Sequence, residues 1–186
     1  MVMPTWFNVR KAAQVTFFFA MKEGGQINVL KLSKLLYIAD REHMYRHDSP
    51  ILGDMLVSMD HGPVNSITLD FINGYATSRD RWDAFVADRA GYKIGVASEF
   101  SEDDLDELSA AEFETLRNVW KQFGQKTKYQ LRDWTHNNCP EWEDPAGSSA
   151  PIPYERVFKF LGKRNAEELA RQVDEDRHLR LAMLAD

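Results

Sequence analysis

A long amphipathic helix near the N-terminus places the strongest constraint on the fold of this chain. Between about Asn28 and His47, four apolar residues recur at helical spacing and define one buried face: Leu32, Leu35, Leu36 and Ala39. His43 falls within this face, and Asp40 lies on its flank. The same periodicity places four longer side chains outside this apolar face: Lys31, Lys34, Arg41 and Tyr45. Because an unsatisfied polar group in a core costs about 1–3 kcal/mol, we expect Asp40 and His43 to have hydrogen-bond partners.

Two motifs that follow this helix deliver further polar groups, Gly53-Asp54 and His61-Gly62-Pro63-Val64. Gly62 allows a turn or a close backbone approach, and Pro63 suits the first turn of a helix. The start of such a helix presents free N–H groups, which bind carboxylates. We expect a carboxylate of this chain, such as that of Asp54, to occupy them; a carboxylate from a partner or a small ligand is the alternative.

Capping signals and apolar periodicity predict several more helices and little sheet. Asn8 caps a first helix that contains Phe17, Phe18 and Phe19 in succession, which requires a central position in the core or cover by a partner chain. A third helix is expected to reach Tyr75 and to turn that side chain inward. Further helices are predicted from Ser109 to about Phe123, from Thr127 onward, over 154–161 and over 165–186.

Two short strands are predicted over 55–59 and 92–97, and we expect them to pair with each other. The elements together predict a mainly α fold, a compact multi-helix domain with a small two-stranded β element (α+β). This domain is expected to span residues 1–162. A C-terminal helical extension is expected over 163–186.

The charge distribution disfavours binding of nucleic acid. The chain has 23 Lys and Arg against 29 Asp and Glu, a formal net charge of −6. Eight of the acidic residues lie between Ser98 and Glu114 without a single Lys or Arg, and no cluster of basic residues balances them elsewhere. The acidic run lies near two expected helix starts, where the helix dipole favours it. Attraction of a basic partner is the alternative interpretation.

Cysteine usage and hydropathy predict a cytoplasmic protein. Cys139 is the only cysteine, so neither an intrachain disulfide nor a zinc site built on several thiolates can form. The apolar run from Val15 to Met21 is too short for a secretory signal or a membrane span. We expect no association with a membrane.

The polar residues include a weak signal for a metal site and none for nucleophilic catalysis. His43 and His47 have the spacing at which two imidazoles on one helix can share a metal, with His61 and His136 as further candidates. Met44 stands where a metalloprotease helix would carry Glu, so a hydrogen-bonded structural cluster is the better interpretation. No nucleophile motif or phosphate-binding glycine loop is evident. We expect no enzyme activity and no cofactor, with a metal-dependent hydrolase as the alternative.

A third group of polar and aromatic residues follows in the second half of the chain. His136 is preceded by Thr135, and Glu141-Trp142 follows Pro140, so an imidazole, a carboxylate and an indole lie within seven residues. Trp142 either anchors a contact with a partner or packs onto its own core. We expect one polar centre that fixes the fold or a binding groove, formed by Asp40, His43, Asp54, His61, Gly62, Pro63, His136, Glu141 and Trp142.

The order and spacing of these motifs resemble the Panacea antitoxin domain, the family that includes SocA-like antitoxins and phage-associated GepA-like proteins. The resemblance covers roughly Val9 to Gly162. It departs from the pattern at His61, where many relatives have an aromatic residue before Gly-Pro-Val, and this weakens any role assigned to His61.

This resemblance implies a mainly helical binding module that neutralises a cognate protein toxin by direct contact. One branch of the family acts instead as an adaptor that hands its toxin to a cytosolic protease, which is the alternative mechanism. The toxin's identity and the oligomeric state do not follow from the resemblance.

Overall fold

The computed structural model describes residues 4–97 and 99–183, with side chains to residue 182. Its helices and strands follow in chain order: α1 (Val9–Lys22), β1 (Gln26–Asn28), α2 (Val29–His47), β2 (Leu56–Met59), β3 (Gly62–Asn65), α3 (Ser66–Asn73), α4 (Asp80–Asp83), β4 (Lys93–Gly95), α5 (Ala110–Phe123), α6 (Lys128–Asn138), β5 (Ala150–Pro151), α7 (Tyr154–Phe160) and α8 (Ala166–Met183). A short 3₁₀ turn covers Glu102–Asp104. The predicted mainly α class with a small β component is confirmed.

Helix α2 occupies the centre of the molecule and contacts α1, α5, α6 and β3. Asn28 caps its start, because the side-chain oxygen accepts from the backbone N–H groups of Leu30 and Lys31. The expected apolar face is buried against these neighbours. The predicted extent of this helix, from Asn28 to His47, is therefore confirmed.

Helix α1 is central as well, which explains its three consecutive phenylalanines. Phe17, Phe18 and Phe19 are all fully or almost fully buried, since α2, α4, α5 and β4 surround the helix. Asn8 caps it through Lys11 N as predicted. A central position, and not a partner chain, accounts for this apolar run.

The strands form two small antiparallel sheets, and the expected pairing of the two predicted strands is wrong. β1 pairs with β4, with Ile27 opposite Ile94. β2 lies between β3 and β5, with Val57 opposite both Val64 and Pro151. Local alternation identified strand segments near β2 and β4 but carries no information about which segment lies beside which.

The expectation that Pro63 begins a helix is also wrong. Gly62–Asn65 is extended and pairs with β2, and the helix starts only at Ser66. Pro63 faces Ser58 in this ladder. Helix α3 ends at Asn73, so Tyr75 lies beyond it and is 68% exposed, contrary to the expected inward position.

Part of the acidic run forms ion pairs with basic residues of α1 and α5. Asp106 accepts from Arg10, and Glu112 pairs with Lys11. Glu102 pairs with Lys22 and Arg117. Glu112 also completes the predicted Ser109 capping box of α5. These ion pairs support the structural interpretation of the acidic run.

Helix α8 packs on α7 and covers a second apolar cluster. Ala166, Leu169 and Val173 are buried there together with Tyr37 and Met44 of α2. In the described part of the chain, no helix is long and apolar enough to cross a membrane.

Candidate functional site

Asp40 fastens the loop after α2 and the end of β3 to the centre of the molecule. Its Oδ1 accepts from the backbone N–H groups of Ile51 and Leu52, each at 2.9 Å, and Asn65 Nδ2 donates to Oδ2 at 2.7 Å. The residue is fully buried, and burial raises its pKa to about 7 although the hydrogen bonds oppose the shift. Asp40 therefore holds two segments against α2, the loop that follows this helix and the end of β3.

Asp54 occupies the N-terminal N–H groups of α3. It accepts from Ile67 N and Thr68 N at 2.9 Å and from Thr68 Oγ1 at 2.6 Å. The expected internal carboxylate at a helix start is confirmed. Burial raises the pKa of Asp54 to about 6, and its hydrogen bonds with Thr68 oppose that shift.

Glu141 joins the loop after α6 to α2. It accepts from the Tyr37 hydroxyl at 2.8 Å and from Arg41 Nε at 2.7 Å, and its side chain is fully buried. The sequence interpretation missed both partners, because it placed Arg41 outside the inner face of α2 and gave Tyr37 no role. The sequence did contain a signal for this pair, because a spacing of four residues places both side chains on one face of the helix.

His136 and Trp142 stack almost in parallel, with ring centroids 4.1 Å apart and an interplanar angle of 9°. Trp142 Nε1 also donates to Met59 O at 2.9 Å. The indole therefore packs onto its own domain and attaches the loop to the β2–β3 turn. Burial and the neighbouring Lys34 lower the pKa of His136.

Lys34 is the principal residue that the sequence interpretation placed wrongly. It was expected to point away from the core, but it is fully buried, and its Nζ donates to Pro63 O at 2.8 Å. Burial lowers its pKa to about 7. Within the described residues Lys34 forms no ion pair with a carboxylate, so a lysine is buried here without a counter-ion.

Gly62 makes this approach of β3 to α2 and α6 possible. Its φ of +99° is unfavourable for any residue with a side chain. A Cβ at this position would lie 2.7 Å from Thr135 Oγ1 and 3.2 Å from Lys34 Nζ. The predicted close backbone approach at Gly62 is confirmed.

His43 lies apart from the other predicted site residues, against α5. Since the Thr115 hydroxyl donates to Ala111 O, His43 Nδ1 is the donor to Thr115 Oγ1 at 3.0 Å. The His47 ring lies 4.5 Å away between centroids. Burial, with a smaller contribution from His47, lowers the pKa of His43 to about 4.

The residues expected to form one polar centre make their contacts at several places in the fold. Asp40 and Asp54 make their contacts near α3, and Glu141 contacts α2. His136, Trp142 and Gly62 lie at the β2–β3 turn, where His61 is exposed. Among residues 4–97 and 99–183, no three His, Cys, Asp or Glu side chains are close enough to hold a metal ion. The metal set proposed as an alternative is not assembled.

A cavity of about 580 Å³ opens beside these contacts. The first turns of α2, the β2–β3 turn, α3 and the start of α6 surround it. Lys34 lies in its inner wall, and the lining also includes His61, Arg89, Tyr92, Lys128 and Tyr129. A cavity formed by several separate elements is a common location for binding.

These features define a small helical scaffold whose buried polar side chains hold loops and a hairpin around a shared cavity. The family described as the SocA-like antitoxin, Panacea domain, matches residues 32–143, which include every one of the predicted site residues. The chain belongs to this family. Comparisons with curated proteins and with solved structures found no match.

Proposed function

We propose that this protein neutralises a cognate protein toxin by binding it directly. The family match over residues 32–143 is the observation that carries the proposal, because membership in an antitoxin family implies a toxin partner. Three of the expected site residues, Asp40, Asp54 and Glu141, bind backbone or side-chain groups of this chain, which suits a structural role in a binding module.

The protein acts as a binding module and not as an enzyme in this proposal, and it acts in the cytosol. Cys139 is buried, and burial raises its thiol pKa to about 12, which suits a structural role and not a nucleophilic one. His43 donates to a threonine that donates onward to a backbone carbonyl, so it activates no nucleophile there.

Co-expression with the protein encoded by the neighbouring gene tests the proposal. We expect that protein to arrest bacterial growth alone, and we expect this chain to restore growth and to co-purify with it as a stable complex. Restored growth with disappearance of the toxin, reversed when cytosolic proteases are deleted, would establish the adaptor mechanism instead. Arrested growth in the presence of this chain would contradict neutralisation.

A further inference from the structure

We propose that the cavity between α2, the β2–β3 turn and α6 is the toxin-binding site, and that it receives an acidic side chain of the toxin flanked by apolar residues. This inference rests on the proposed function and adds the surface and the chemistry of recognition to it. Three features of the cavity support this inference. Among the residues that the structure describes, it contains cations without a carboxylate partner, two of these cations lie at unfavourable positions, and exposed tyrosine and methionine side chains form its rim.

Three cations line the cavity without a carboxylate partner in the described part of the chain: Lys34, Arg89 and Lys128. Most other lysines and arginines of the described residues form ion pairs, as Arg41 does with Glu141. Arg89 donates to Gly91 O and Asn73 Oδ1, and Lys128 lies over the Tyr129 ring at 5.0 Å from its centroid. Against these three cations the lining holds the carboxylate of Asp60, which accepts from Gly147 N. The cavity therefore has an excess of positive charge in a protein of net charge −6.

Two of these cations occupy positions that local energetics disfavour. Lys34 is buried without a counter-ion, and Lys128 is the first residue of α6, where the helix dipole repels a cation. Residues that break local rules tend to mark functional sites. A carboxylate from a bound protein would supply the missing compensation for both.

A protein segment suits this cavity because exposed apolar side chains surround its charged residues. Tyr92 is 77% exposed, Tyr129 54% and Met59 37%, and all three line the cavity. Aromatic residues, methionine and arginine are enriched where proteins bind each other. A small inorganic anion would leave this rim uncovered, whereas an acidic side chain with apolar neighbours would cover it and neutralise the cations.

Charge reversal with matched controls tests the assignment. Arg89→Glu and Lys128→Glu change cations of the cavity, whereas Arg81→Glu and Lys121→Glu make the same change at exposed positions outside it. The probe is the purified protein encoded by the neighbouring gene, and calorimetry gives the dissociation constant. We expect each cavity variant to weaken binding at least about tenfold and each control to stay within about threefold of wild type.

Uncharged substitutions provide a second measurement that does not depend on the folding of the charge variants. Tyr129→Ala removes part of the rim, and Tyr45→Ala removes an equally exposed tyrosine outside the cavity. We expect only Tyr129→Ala to weaken binding, by at least about tenfold. Added salt should weaken binding more for wild type than for Lys128→Glu.

The outcomes separate this inference from the proposed function. Equal binding by wild type, the cavity variants and the controls would overturn the cavity as the contact site while direct neutralisation stands. Absence of binding by wild type would overturn the proposed function and the inference together. Loss of binding confined to the cavity variants would support both.

Discussion

At the scale of residues, the chain uses buried carboxylates to bind backbone N–H groups and leaves one buried lysine with only a carbonyl. Asp40 and Asp54 each accept three hydrogen bonds, so their burial is compensated by partners in the fold. Among the described residues, Lys34 Nζ has the Pro63 carbonyl as its hydrogen-bond acceptor. The sequence predicted partners for Asp40, but it could not predict burial of Lys34, because that depends on where distant residues place Pro63 and Thr135.

Replacing Lys34 by methionine should stabilise the protein at neutral and acidic pH. The folded pKa of about 7 lies below the usual 10.5, so the unfolded chain binds more protons between these values, and wild-type stability rises with pH across that window. Lys34→Met removes the cost of burying a charged lysine, so the stability of the variant should rise less with pH than that of wild type. We expect a gain on the order of 2 kcal/mol at pH 6 that shrinks by pH 10, measured by urea unfolding at both pH values. An equal effect at both pH values would contradict burial of a charge.

Replacing Asp54 by alanine should destabilise the protein by about 1–3 kcal/mol, because two backbone N–H groups of α3 and the Thr68 hydroxyl lose their acceptor. Urea unfolding measures the change. Exposed Asp80 at the start of α4 is a suitable control, since Asp80→Ala removes a carboxylate with no such contacts and should stay within about 0.5 kcal/mol of wild type. Equal loss in both variants would refute the capping role.

At the scale of elements, helices were predictable from local signals and strand partners were not. Asn8, Ser109 and Thr127 cap helices where the sequence indicated, because capping requires only residues within one turn. Helix α2 also begins near Asn28, as expected. Pairing of β2 with β5 joins residues almost a hundred positions apart, and no local pattern encodes it. The loop that contains Glu141 and Trp142 is likewise positioned by contacts that form only in the complete fold.

The loop between α6 and β5 should loosen when Glu141 loses its charge. Glu141→Gln leaves Arg41 largely buried without a counter-ion, which is expected to cost about 3 kcal/mol. Hydrogen exchange should increase over residues 139–149 first, since Glu141 fixes this loop to α2. Glu143→Gln is the control, because Glu143 is largely exposed and should change exchange little. Unchanged exchange in Glu141→Gln would contradict this anchoring role.

At the scale of the whole molecule, α8 acts as a cover for the second apolar cluster. Leu169 and Val173 pack with Tyr37 and Met44, and Arg177 donates to the carbonyls of Gly53 and Asp54. The C-terminal helix therefore supports the same region that Asp54 organises. The role of Arg177 was not predicted from the sequence, because its acceptors are backbone carbonyls more than a hundred residues away.

Removal of residues 163–186 should destabilise the protein by at least about 3 kcal/mol, because it exposes the apolar cluster that α8 covers. Removal of residues 179–186 alone is the control and should have a small effect, since Leu179 is 59% exposed and Leu181 36%. Thermal unfolding of the two truncated proteins measures the difference. A fully stable 1–162 protein would show that the preceding residues suffice for the fold.

The buried single thiol has a practical consequence for studies of this protein in solution. Cys139 is fully buried and has a pKa of about 12, so maleimide and iodoacetamide reagents will react with it slowly while the protein stays folded. A cysteine placed at an exposed position such as Tyr92 would then be the sole site of fluorophore attachment. The native sequence is thus already suited to site-specific labelling, and a dye at the mouth of the cavity can report the arrival of a partner directly.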